Sequence, residues 1–249
     1  MPTKQEILKN QEKFNLKASP KFREKFRNMG FFHQFVIGSE FGIENTMEKI
    51  LKSHYLISLK SQGLNAEGSL AGTLDIDKKM NRDEYIYFRL GALVNCNCSR
   101  SIIFEIPPKY IQPIEYSDGF FCNDIIQYHK NGDFMNLDYQ SHKHTILSIQ
   151  QGIDILADYV ASEFNTDPTQ YLTSRTYGEL HDGAEFSPEF AIKDRVSIHE
   201  SDVKIHIVSL SSDLTEKINE TMKLYDYQSP IIHKTREDFL QYLFSSSSL

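Results

Sequence analysis

Tryptophan is absent from the 249-residue chain, and cysteine occurs only at Cys96, Cys98 and Cys122. Three cysteines cannot build a disulfide framework, and the Cys96/Cys98 spacing lacks the second pair that a zinc knuckle needs. All three read as free thiols of a reducing compartment. No apolar run approaches the length of a membrane span, and the charged N-terminus has no signal-peptide core. A soluble, cytoplasmic protein is therefore the expectation. A phosphate loop ending in Gly-Lys-Ser/Thr, a G-x-G-x-x-G after a strand, an H-E-x-x-H and a G-x-S-x-G elbow are all missing. These absences count against nucleotide hydrolases, zinc proteases and serine hydrolases. His142 and His144 lie two apart in a polar stretch without obvious partner ligands, so no metal is expected.

Hydrophobic residues make up 40% of the chain and charged residues 24%, the balance of a globular protein with one sizeable core. The net charge of −7 counts against a general nucleic-acid binder, which needs a basic face to displace counterions. Charge is unevenly spread: residues 1–30 sum to +5 and the remainder to −12. The basic N-terminus either contacts an acidic partner or folds back on the acidic body, and the second is the plainer reading.

Residues 3–30 read as a basic amphipathic lead-in that Pro20 divides into two short helices. Phe31 to Ile37 is aromatic and branched, as in a buried strand. A helix follows from about Asn45, capped by Asn45 or Thr46, with Met47, Ile50, Leu51 and Tyr55 at helical spacing. Residues 56–76 are rich in glycine and read as loop. Tyr85–Phe88 and Ser101–Ile106 read as strands, the second stopped by Pro107 and Pro108. The polar region 112–143 reads as a long insertion beside a site. Ile146, Ile149, Ile153, Leu156 and Val160 form the apolar face of a helix. Residues 184–192 and 203–208 alternate as strands, and helices at about 213–225 and 236–244 precede a frayed Ser-rich tail. Strands and helices mix without a β-α-β rhythm, which predicts an α+β fold.

Three segments carry more than local structure. The first runs from Phe32-His33-Gln34-Phe35 through IENTMEKILKSHYLIS (43–58) to Gln62-Gly63-Leu64. The second is Asp83-Glu84-Tyr85-Ile86-Tyr87-Phe88, followed by SIIFEI. The third is GAEFSPEFAIKDRVSI (183–198) followed by DVKIHIV (202–208). In this order they resemble the ADP-ribosyltransferase superfamily, in particular its bacterial toxin and effector members. Those members open with a strand bearing a His or Arg that grips NAD, and a late strand begins with the catalytic Glu. The resemblance implies a split β-sheet core with flanking helices over 31–210. Residues 1–30 are then a helical lead-in, and 211–249 are helices and tail packed on the core. It also implies a cytoplasmic site of action, with delivery into a host cell by a non-Sec route.

The implied activity is transfer of ADP-ribose from NAD, the only cofactor expected and here a substrate, to a protein acceptor, with nucleic acid disfavoured by the acidic body. On that alignment Glu189 is catalytic, and His33, Tyr87, Phe88 and Ser187 bind NAD. Breaking the nicotinamide–ribose bond generates an oxocarbenium-like ribose, and a fixed carboxylate stabilises that charge as it develops. An aromatic face such as Tyr87 or Phe88 stacks on nicotinamide. Ser187 stands where arginine-modifying members carry Glu or Gln, and Tyr87-Phe88-Arg89 replaces their Ser-Thr-Ser segment, so both positions count against arginine as the acceptor. Glu185 rivals Glu189. Taken singly, His33 between phenylalanines reads as a core histidine and Tyr85 with Tyr87 as strand packing. A catalytically silent binding module, an NAD glycohydrolase and a nucleic-acid-modifying enzyme on the same fold are the alternative functions.

Overall fold

A computed structural model describes residues 19–37, 39–58, 60–61, 83–90, 100–123, 147–163 and 188–246. The anticipated readings at residues 1–18, Cys96, Cys98, His142, His144, Glu185 and Ser187 lie outside these residues.

Helix α1 (Pro20–Arg27) starts at the proline that was expected to divide the lead-in. Ser19 caps it by accepting the Phe22 amide at 3.2 Å, and Pro20 occupies the first turn, where a missing N–H costs nothing. Strand β1 (Phe31–Val36) leads to α2 (Ile43–Ser53), which begins two residues earlier than its expected cap. Gly42 precedes it at φ 76°, a left-handed conformation that glycine adopts at no steric cost. Then come β2 (Tyr55–Ile57), β3 (Tyr85–Leu90), β4 (Ser101–Ile106) and the short α3 (Pro108–Ile111). Strand β5 (Gly119–Asn123), helix α4 (Ile149–Glu163) and strands β6 (Pro188–Lys193), β7 (Arg195–Ser197) and β8 (Lys204–Val208) follow. Helix α5 (Ser212–Leu224), strand β9 (Ile231–His233) and helix α6 (Arg236–Ser246) close the chain.

Seven strands form one sheet in the order β5-β6-β3-β1-β4-β8-β9, and β2 pairs with β7 in a separate ribbon. The pairings are antiparallel except β8 with β9. One face carries Phe31, Phe88, Phe104, Phe190 and Ile207 into the main core. Residues of α1, α2, α4 and α5 cover it, among them Phe26, Leu51, Leu156 and Ile218. Complete removal of such side chains from water is the main term holding helices to sheet, at about 1.5–3 kcal/mol each. In α4, Gly152 lies so close to Phe121 that an added Cβ would stand 2.2 Å from the ring. The opposite face is divided. Helix α6 covers Phe32, Ile103 and Val208 with Phe239 and Leu243, while Tyr85, Phe120 and Ala191 form a smaller patch against half-buried Tyr87.

Candidate active site

The sheet forks between β1 and β3. Strand β1 pairs with β4 along its whole length, but its ladder with β3 holds only Phe31 opposite Leu90 and Phe32 opposite Arg89. At the next residue an imidazole replaces the backbone bond: His33 Nδ1 donates to the Tyr87 carbonyl at 2.8 Å. A carbonyl can only accept, so Nδ1 holds the proton and Nε2 keeps its lone pair. Burial lowers the His33 pKa, with the Tyr87 carbonyl acting the other way, so the ring is neutral at pH 7. It packs edge-on to Phe35 at 4.7 Å and lies 5.6 Å from Phe88.

Glu189 sits at the head of β6, only 8% exposed. Cross-strand neighbours share a face of the sheet. Glu189 lies opposite Cys122 of β5, and on its other side Arg89 Nη2 of β3 donates to Glu189 Oε1 at 3.0 Å. Because strand side chains alternate, Tyr87 shares this face with Arg89 and Glu189, and it lies opposite Ala191. His33 and Phe88 point to the other face, where Phe88 is fully buried in the core. The fold thus brings Glu189, Arg89 and Tyr87 together, and His33 meets them at the fork through the Tyr87 backbone.

Arg89 was legible only as a departure from an expected segment. Its partner lies 100 residues away, so no local spacing could have announced the pair. A second cluster on the same face was also missed. Glu105 of β4 accepts from His206 Nε2 at 2.9 Å and from the Tyr242 hydroxyl at 3.0 Å. Lys204 Nζ donates to that hydroxyl at 2.8 Å and stands 3.5 Å from Glu105, while His206 Nδ1 and His233 Nε2 are 3.1 Å apart. Burial pushes the Glu105 carboxyl up, but the bond and field of His206, with Lys204 and Tyr242, outweigh it and hold the group below its usual range. His233 is pushed down to about 4 by burial and then by the field of His206. Among the described residues no group of three or more His, Cys, Asp or Glu could hold a metal ion, and no helix is long and apolar enough to cross a membrane.

No family model matches the sequence, and no curated protein matches it. Among solved structures, the chain is similar to Thermus sp. 2.9 DarT in complex with ADP-ribosylated ssDNA. The two share 9% identity and a TM-score of 0.50, over 90% of this chain and 99% of that one. The fold is ADP-ribosyltransferase-like. At this identity the likeness speaks for the fold, and it agrees with the forked sheet and flanking helices.

It also corrects the expectation about partners. A protein acceptor was the reading implied by the resemblance, with nucleic acid disfavoured on net charge, and a structural neighbour in complex with ADP-ribosylated ssDNA overturns it. The physical error is one of averaging. A net charge of −7 sums over the whole chain, whereas single strands are held locally by stacking and a few phosphate contacts.

Proposed function

We propose that this protein transfers ADP-ribose from NAD to single-stranded nucleic acid. One observation carries the reading: a carboxylate, Glu189, is held at the head of a strand beside the fork, in a fold shared with a protein solved with ADP-ribosylated ssDNA. In this reading the C1′–N bond of NAD breaks and its electron pair leaves with nicotinamide. The acceptor's nucleophile closes a new bond to C1′ and gives up a proton. Glu189 as carboxylate holds the ribose 2′-hydroxyl and stabilises the positive charge that grows at C1′. His33 offers the Nε2 lone pair to a ribose hydroxyl, and Tyr87 is the ring of the aromatic pair that lies on the Glu189 face.

The test incubates the protein and its Glu189→Gln variant with labelled NAD and separate single-stranded DNA, single-stranded RNA and lysate-protein fractions. Label on a nucleic acid, lost in the variant, is the expected result. Label that persists in the variant removes Glu189 from the mechanism, and label on protein alone overturns the acceptor.

A further inference from the structure

We infer that Arg89 is the positioning residue for Glu189, holding its carboxyl ionised and fixing its rotation; this rests on the reading of Glu189 given above. Both side chains are largely withdrawn from water, at 17% and 10% exposed, and joined at 3.0 Å through Nη2 and Oε1. A carboxylate so enclosed would favour its neutral form, which neither stabilises a cationic ribose nor accepts the 2′-hydroxyl proton. The other flank of Glu189 is Cys122, and next along β3 on the same face is Tyr87, neither a cation. Arg89, at 3.0 Å, brings positive charge to the carboxylate.

Stability alone does not explain the pair. Two buried opposite charges commonly hold a fold no better than apolar side chains of like volume. Apolar side chains stand directly beside the pair on this face: Phe32 lies opposite Arg89, and Ala191 follows Glu189 by two residues. A guanidinium also differs from an ammonium in geometry. Its planar fork fixes the carboxylate's rotation, and its charge persists at any working pH. The Nη2 contact draws Oε1 towards β3.

The test reads ionisation directly, by NMR titration of the Glu189 carboxyl carbon in the full chain carrying labelled glutamate. In the unmutated protein Glu189 should show no titration step above the ordinary carboxylate value of about 4.3. In Arg89→Gln the step should move upward by about one unit or more, and Arg89→Lys should restore most of the depression. The acid limb of kcat for NAD consumption should shift by the same amount, with KM for NAD little changed. A merely structural Arg89 would lower Tm without moving the carboxyl titration, and that result overturns the inference. Should Arg89→Gln not fold, the unmutated protein decides. The guanidinium nitrogens of Arg89 must follow the same titration curve as Glu189, and independent curves overturn the inference. If the coupling is found but the unmutated protein consumes no NAD, the proposed function falls and the charge-holding role of Arg89 stands.

Discussion

Two carboxylates, Glu189 buried and Glu105 largely so, occupy one face of one sheet, and their surroundings differ in kind. Strand register sets them almost in a row: Glu189 beside Arg89, Arg89 opposite Phe32, Phe32 opposite Glu105, and Glu105 opposite Lys204. Glu105 is enclosed by a hydroxyl, an imidazole and an ammonium, and roofed by α6 through Tyr242. Glu189 meets a guanidinium from its neighbouring strand at the point where the sheet forks. A carboxylate locked to groups on several elements fastens those elements together. Glu189 instead stands near the start of a strand, where the proposed function places the ribose.

The largest effect that separates the two should come from Glu189→Gln, which preserves shape and removes charge. NAD consumption should fall about 100-fold or more, while Tm changes by a few degrees at most. Equal activity in variant and parent would erase the distinction. Glu105→Ala should do the reverse, stripping partners from a buried network. A loss of about 3 kcal/mol in urea unfolding is expected, with activity per folded molecule retained.

Next in size is a pH effect confined to the Glu105 side. The folded His233 resists protonation down to about 4, whereas the unfolded chain takes a proton near the ordinary value of 6.5. Stability from this group is therefore complete above pH 6.5 and drains away as pH falls towards 4, by at most about 3 kcal/mol. Glu105, with its pKa depressed, adds a further loss below the carboxylate range. His233→Gln should flatten Tm between pH 6.5 and 4, and an unchanged slope would place the titration elsewhere. Smallest is Tyr242→Phe, which removes one hydroxyl bonded to Glu105 and Lys204. About 1 kcal/mol of stability and none of the activity should go with it.

How much of this was readable before the structure depended on the range of the interaction. Local signals served well: the aromatic run at Phe31 became β1, SIIFEI became β4, and the helix face at Ile149, Ile153 and Leu156 is buried. The strands β2, β7 and β9 escaped notice because three residues carry no usable period, so that Tyr55, read onto the helix face, lies in β2. The reading of 112–143 as a polar insertion is corrected at its start, where Gly119–Asn123 form β5 and pair with β6 in the sheet. Pro20, read as the divider of two short helices, opens one at 20–27, with Ser19 as its cap. At the site, Glu189 and His33 stood out from a pattern of segments. That alternation turns His33 and Glu189 to opposite faces needs strand pairing, which the sequence does not print. Arg89–Glu189 and Glu105–His206 join residues about a hundred positions apart, and only the register brings them together.

The contact between Gly152 and Phe121 carries a lesson for anyone engineering this protein. A rule of thumb for hardening enzymes is to replace glycines inside helices with alanine, a gain of about 1 kcal/mol from helix propensity. Gly152 would head such a shortlist, and it is the position to leave alone. One methyl group there would press into the Phe121 ring at 2.2 Å and wedge α4 away from β5. A saturation library should return glycine at 152 and little else, which makes this helix position as demanding as any residue of the site.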